Sequence, residues 1–155
     1  MADYSDFNEK KIEELAQKII KTIIEKDKIG FDRNRIREII QKIPKKPGVY
    51  IVFKENQPIY VGESRDIRAR YKDMHNTLNH TLRRAIGHKI SGEHASSKNK
   101  FSDKTETDLD NYFKTCEFGF MEVNFGRVEL QDMIADLLCK KYSLHNKEIK
   151  RGRDN

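Results

Sequence analysis

The chain has 155 residues, of which 36% are apolar and 36% charged, with a net charge of +6. That composition supports one modest core under a heavily charged surface, and no apolar run approaches the roughly 18 residues needed to cross a bilayer. The opening MADYSDFNEKK lacks the basic-then-apolar order of a signal peptide, so the expected residence is cytoplasmic.

Ile12, Leu15, Ala16, Ile19, Ile20, Ile23 and Ile24 recur at helical spacing and predict an amphipathic helix over 8–28, with Asp6 and Glu9 as a capping box and Gly30 as its end. A second helix is expected from about Asp32, carrying Ile36, Ile39, Ile40 and Ile43 and closed by Pro44 and Pro47. The character then changes. GVYIVF and IYVG read as two strands joined across KENQP, a β-hairpin. Residues 64–74 and 80–90 read as helices, and SGEHASSKNKFSDK as a loop before a short helix near 108–113. CEFGFMEVNF is apolar on both faces, as a central strand is, with Gly119 a candidate bulge. RVELQDMIADLLCKKY is a helix with Leu130, Met133, Ile134, Leu137 and Leu138 as its core stripe, and SLHNKEIKRGRDN a basic tail. Cys116 and Cys139 fit no metal spacing and read as small buried apolar residues; the five histidines form no zinc pattern.

An even register places Tyr50 and Tyr60 on one face of the hairpin, directly opposite or diagonal. The helix that follows carries Arg70 and His75 past the end of the second strand, so one patch gathers two phenols, a guanidinium and an imidazole. Basic residues cluster nearby: Arg65, Arg68, Arg70 and Lys72, then Arg83, Arg84, Lys89, Lys98, Lys100 and Lys104. Charge alone leaves two readings open, a solvated surface or a track for phosphates.

These residues resemble the GIY-YIG nuclease family. Gly48-Val49-Tyr50 is followed ten positions after Tyr50 by Tyr60-Val61-Gly62, and Arg70 comes eight residues after Gly62. A late apolar helix bearing Glu129 and then Asn146 complete the pattern, which covers roughly 46–147. The resemblance implies an α+β domain over 45–155, a small three-stranded antiparallel sheet flanked by helices, with 1–44 as an N-terminal helical extension. It also implies hydrolysis of double-stranded DNA with Mg2+ or Mn2+. On that basis Tyr50 is the candidate base, Tyr60 positions water, Arg70 holds the scissile phosphate, and His75 bonds the phosphate or shuttles a proton. Asn146 pins the tail or a phosphate. Arg65, Arg68, Lys72, His80, Arg83 and Arg84 are the candidate DNA contacts.

Two departures stand out. In the family the metal-binding glutamate precedes apolar residues by three and four positions, which puts Gln131 in its place; Glu129 is the only glutamate of that helix and the expected metal ligand. The family's second histidine or tyrosine falls four residues after the arginine, at Met74; His75 lies one later, and His80 is the alternative. The expected function is a restriction-type endonuclease, for which cutting both strands favours a homodimer. The other readings are another nuclease of this family, in repair or a mobile element, and a DNA-binding module without cleavage.

Overall fold

The computed structural model describes residues 8–147. Helix α1 (Glu9–Glu25) is followed by a two-residue strand β1 (Ile29–Gly30). A broken helical segment comes next: a 3-10 turn at Arg33–Arg35, α2 (Ile36–Ile39) and a second 3-10 turn at Ile40–Lys42. The hairpin is β2 (Gly48–Lys54) and β3 (Gln57–Ser64). Helices α3 (Ile67–Asp73), α4 (Thr81–Ser91) and α5 (Asp103–Lys114) lead to β4 (Cys116–Glu122), α6 (Arg127–Cys139) and a final 3-10 turn at His145–Lys147. No helix among the described residues is long and apolar enough to cross a membrane.

The sheet is antiparallel throughout, in the order β1-β4-β2-β3. The α+β fold is as expected, with the short β1 added beside β4. Two residues carry no periodicity, so in the sequence Gly30 marks only the end of a helix. The hairpin turn is tighter than KENQP suggests: Glu55 and Asn56 alone make it, at φ 52° and 63°. Positive φ at both positions gives the twist that a two-residue hairpin needs. Pro58 sits in β3, an edge strand, beside the one irregularity of its pairing, opposite Val52 and Phe53. Gly119 pairs in step with Ile51, so no bulge forms there; α1 crosses at that point, and a Cβ on Gly119 would meet Ile23 at 2.6 Å.

Alternation along β2 divides the core into two layers. Val49, Ile51 and Phe53, with Val61 of β3, pack under α1 and α6 against Ile19, Ile23 and Ile134. Tyr50, Val52 and Tyr60 face the other way, onto Phe31, Ile67, Tyr71 and Leu82. The first helix caps on Asn8, whose side chain accepts from Lys11 N–H; the expected partner Asp6 lies outside the described residues.

Helix α5 is longer than its sparse apolar residues predict. Ser102 caps it, and Asp103 and Glu106 sit in its first turn, where carboxylates favour the helix dipole. Arg83 of α4, expected on the surface as a DNA contact, is fully buried against it. Its Nη2 donates to Asp110 at 2.9 Å and Glu106 at 3.1 Å, and its Nε to Thr77 at 3.1 Å. Arg33 joins from the opposite side, with Nε 2.9 Å from Asp110. Burial works against the Asp110 carboxylate, but the bonds from Arg33 and Arg83 hold it below its ordinary range. Arg83 is therefore a structural cation that ties α4 to α5. Removing it leaves two partly covered carboxylates short of a partner, so Arg83→Ala is expected to destabilise the fold by about 3 kcal/mol, read as a urea midpoint shift.

Candidate active site

Tyr50 pairs directly with Gly62 across the hairpin, and Tyr60 pairs with Val52, so the two tyrosines are diagonal on one face. Their ring centroids are 6.2 Å apart. The Tyr50 ring lies across the Gly62 backbone; a Cβ there would fall 2.2 Å from Tyr50 Cζ. At the start of β2, a Cβ on Gly48 would fall 2.3 Å from the Met121 carbonyl oxygen. Both glycines of the motif are thus close-approach positions, and at Gly62 the approaching group is the catalytic candidate itself.

Beyond Gly62 the phenol reaches His80. Tyr50 Oη and His80 Nε2 are 3.1 Å apart. His80 is the N-cap of α4, and its Nδ1 accepts from Leu82 N–H at 3.1 Å. An accepting Nδ1 carries no proton, so the neutral ring must carry it on Nε2 and donate to Tyr50. Burial, then the charges of Arg70 and Arg84, push the His80 imidazolium down to about 3. The ring is neutral over the whole physiological range. The Tyr60 ring stands edge-on to His80 at 5.9 Å.

Arg70 completes the cluster. Its Nε is buried with no hydrogen-bond partner, and its Nη1 lies 4.0 Å from Asp73. The Arg70 charge acts on His80, and a half-exposed guanidinium with an unsatisfied N–H can take an anion. His75 is elsewhere: its ring packs on Phe31 and Tyr71, and its carbonyl accepts from Arg33. Burial, then Arg33 and Arg83, lower it to about 4. The imidazole beside the tyrosines is that of His80, not His75. The sequence offers His80 as the alternative, and the structure makes it the N-cap of α4.

Asn146 clamps the sheet edge. Its Nδ2 donates to Val61 O at 2.8 Å, and Val61 N–H donates to its Oδ1 at 2.9 Å. Both amide atoms are committed to the backbone next to Tyr60, so this residue pins the tail and holds the strand. Gln131 is buried, and its Nε2 donates to Asp132 at 3.4 Å. Glu129 is exposed on another face of α6, at the rim of an apolar groove with Leu15, Val123 and Phe125. Helix α6 therefore turns glutamine, not glutamate, toward the interior. Among the described residues no three His, Cys, Asp or Glu side chains gather as a metal cage.

Of the expected DNA contacts, Arg65 and Lys72 are exposed. Arg68 Nε donates to Ile43 O at 2.6 Å, and Arg84 Nη1 donates to Thr77 O and Leu78 O at 2.9 and 3.1 Å. Arg68 and Arg84 act as backbone clamps, and Arg83 and His80 are interior.

No family model matches the chain. A stretch of 36 residues is 42% identical to UvrABC system protein C of Aquifex aeolicus; it spans 23% of this chain and 6% of that protein. Among solved structures, the GIY-YIG N-terminal endonuclease domain of UvrC from Thermotoga maritima, bound to magnesium as its catalytic divalent cation, aligns at 20% identity. That alignment covers 70% of this chain and 92% of that one, with a TM-score of 0.39. A point mutant of the same domain aligns at 22% identity over 77% and 100%, also with a TM-score of 0.39. The chain thus resembles GIY-YIG proteins in its motif spacing and in a short stretch of sequence shared with UvrC.

The site's geometry makes two properties measurable. His75 and His80 are neutral in the fold but protonate near 6.5 once unfolded, so unfolding takes up protons below that pH. Stability is expected to fall as pH drops from about 6.5 toward 4, with a slope approaching 2–3 kcal/mol per pH unit from the two rings together. Urea titrations at stepped pH read this; His80→Gln should remove roughly half the slope. Separately, Asn146→Ala should cost about 1–3 kcal/mol by stranding the Val61 amide and carbonyl, measured by thermal denaturation.

Proposed function

We propose that this chain is a GIY-YIG-type nuclease domain that hydrolyses phosphodiester bonds in double-stranded DNA with a divalent cation, Mg2+ or Mn2+. The observation that carries the reading is the Tyr50–His80 pair laid across Gly62, with the unsatisfied Arg70 guanidinium beside it. The stretch shared with UvrC supports it. Arg70 takes the scissile phosphate, since its planar fork matches two phosphate oxygens and its buried Nε lacks any other partner. Tyr50 accepts a proton from the attacking water. Tyr50 does so as the phenolate, a form that the Nε2–H bond from His80 stabilises until the proton arrives. Tyr60 forms the second wall and orients the water.

Magnesium takes oxygen ligands and keeps several of its waters, so one or two protein oxygens suffice. Gln131, with Asp132 next to it, would offer an amide oxygen at the expected helix position, from α6 on the sheet face away from the Tyr50 and Tyr60 rings. That donor set fits a weakly held ion, because a neutral amide attracts a hard cation less than a carboxylate does. A cation bound there would supply charge stabilisation on the phosphate. The finer reading is restriction-type cutting of both strands, which calls for two copies of the chain. Gln131 also favours a second reading, a DNA-binding module that does not cut.

Supercoiled plasmid incubated with magnesium, and again with EDTA, separates these readings. Metal-dependent nicking or linearisation is expected, with Arg70→Ala lowering the rate by about 100-fold or more. Linear product without a nicked intermediate marks double-strand cutting. A gel shift with no cleavage, converted to cleavage by Gln131→Glu, assigns the binding module. Neither binding nor cleavage overturns both.

A further inference from the structure

We propose a second phosphate-binding surface, formed by residues 35–46 and the outer flank of α3, that grips the DNA backbone away from the scissile bond. It rests on the nuclease reading above. The segment carries Arg35, Arg37, Lys42, Lys45 and Lys46 against a single carboxylate, Glu38. Glu38 is taken by Arg35 at 2.7 Å. Arg37, Lys42, Lys45 and Lys46 are all exposed, and none forms an ion pair with a carboxylate among the described residues.

The segment does not swing freely. Ile67 N–H donates to Lys46 O at 2.9 Å, fixing it to the start of α3, and Arg68 Nε donates to Ile43 O. Where the two meet, a recess of about 540 Å³ is lined by Arg33, Arg35, Arg37 and Lys72, with Glu38 its one acid. Arg33 is held by Asp110 and Arg35 by Glu38, which leaves Arg37 and Lys72 as the recess's uncompensated cations, with Lys42, Lys45 and Lys46 on the same segment; an anionic partner relieves their mutual repulsion.

Helix geometry separates this surface from the active site. Residues advance about 100° each around a helix, so with Ile67, Tyr71 and Met74 inward, Arg70 falls on one flank of α3 and Arg68 and Lys72 on the other. A helix with its side chains is about 10–12 Å across, close to the roughly 12 Å width of the DNA major groove. A duplex laid over α3 thus offers phosphates of one groove edge to Arg70 and of the other to the second surface. The occupant is a duplex backbone, bound without regard to sequence, since phosphate contacts position a protein and carry no base information.

The test is anisotropy of a fluorescent 20-bp duplex in EDTA, titrated from 50 to 200 mM salt. The variant Arg37→Gln/Lys42→Gln/Lys45→Gln/Lys46→Gln is compared with a charge-matched control on and just after α1, Lys10→Gln/Lys18→Gln/Lys21→Gln/Lys26→Gln. The first should weaken binding about tenfold or more and reduce the salt slope by about 2–4, at roughly 0.9 for each phosphate no longer neutralised, while the control changes little. Turnover at saturating DNA should not change. If the quadruple variant is poorly folded by circular dichroism, Lys45→Gln/Lys46→Gln takes its place, with a slope reduction of about 1–2 expected. Equal weakening by both quadruple variants reduces the effect to net charge and overturns the surface. So does an unchanged slope in the first variant. A parent protein with no affinity for the duplex removes the nuclease reading and this surface with it; a parent that binds while the variant matches it removes only the surface.

Discussion

One contact constrains the rest: the phenol of Tyr50 lies across the backbone of Gly62 and accepts a bond from His80. It requires the hairpin register that sets residue 50 opposite residue 62. A slip of one residue would turn Tyr50 to the α1 and α6 side and place a side chain where the ring now lies. It also requires α4 to begin at His80, because the Leu82 N–H fixes the ring's tautomer. Strand register, a glycine without a side chain and a helix cap therefore converge on one oxygen atom. The burial of Tyr50 and His80 keeps the arrangement rigid, and neutralising His80 is less costly than burying its charge.

The basic residues show how little a net charge says about a surface. Arg83 is as deep as any leucine; its Nη2 and Nε bond two carboxylates and a threonine, while its buried Nη1 has no partner. Arg68 and Arg84 donate to the carbonyls of Ile43, Thr77 and Leu78 and hold the chain there. Arg70 is half in and half out. Only lysines and arginines with neither a carbonyl nor a carboxylate partner remain as candidates for a polyanion, Arg37, Lys42, Lys45 and Lys46 among them.

Local pattern made most of the elements legible. The isoleucine stripe of α1, the two strands and the stripe of α6 are strong periodic signals, and the spacing of Tyr50, Tyr60 and Arg70 survives into a compact cluster. The failures are contacts distant in sequence. Residue identity could not say that Arg83 meets Glu106 and Asp110 on a helix with few apolar residues, or that Ile29 and Gly30 add to β4. Nor could it choose between His75 and His80, five residues apart, since the choice depends on which ring a helix start points at Tyr50.

Helix α6 draws the sharpest distinction. Leu130, Ile134 and Leu138 recur every four residues and fix which side of the helix is buried. Gln131 follows Leu130 by about 100° and Glu129 precedes it by the same angle, so the two sit on opposite flanks of that stripe. Arg127, one turn before Gln131, reaches Glu63 of β3, which shows that this flank faces the hairpin. Glu129 instead borders the groove beside α1. The hairpin side of α6 therefore presents an amide where a carboxylate would serve a cation. Exchanging that charge for an amide acts on the two ligands in opposite senses. It removes repulsion from an incoming phosphate, and it weakens the hold on the metal. On the proposed nuclease reading, cutting would depend on how well an amide oxygen, together with the substrate's own phosphate, keeps a divalent ion in place.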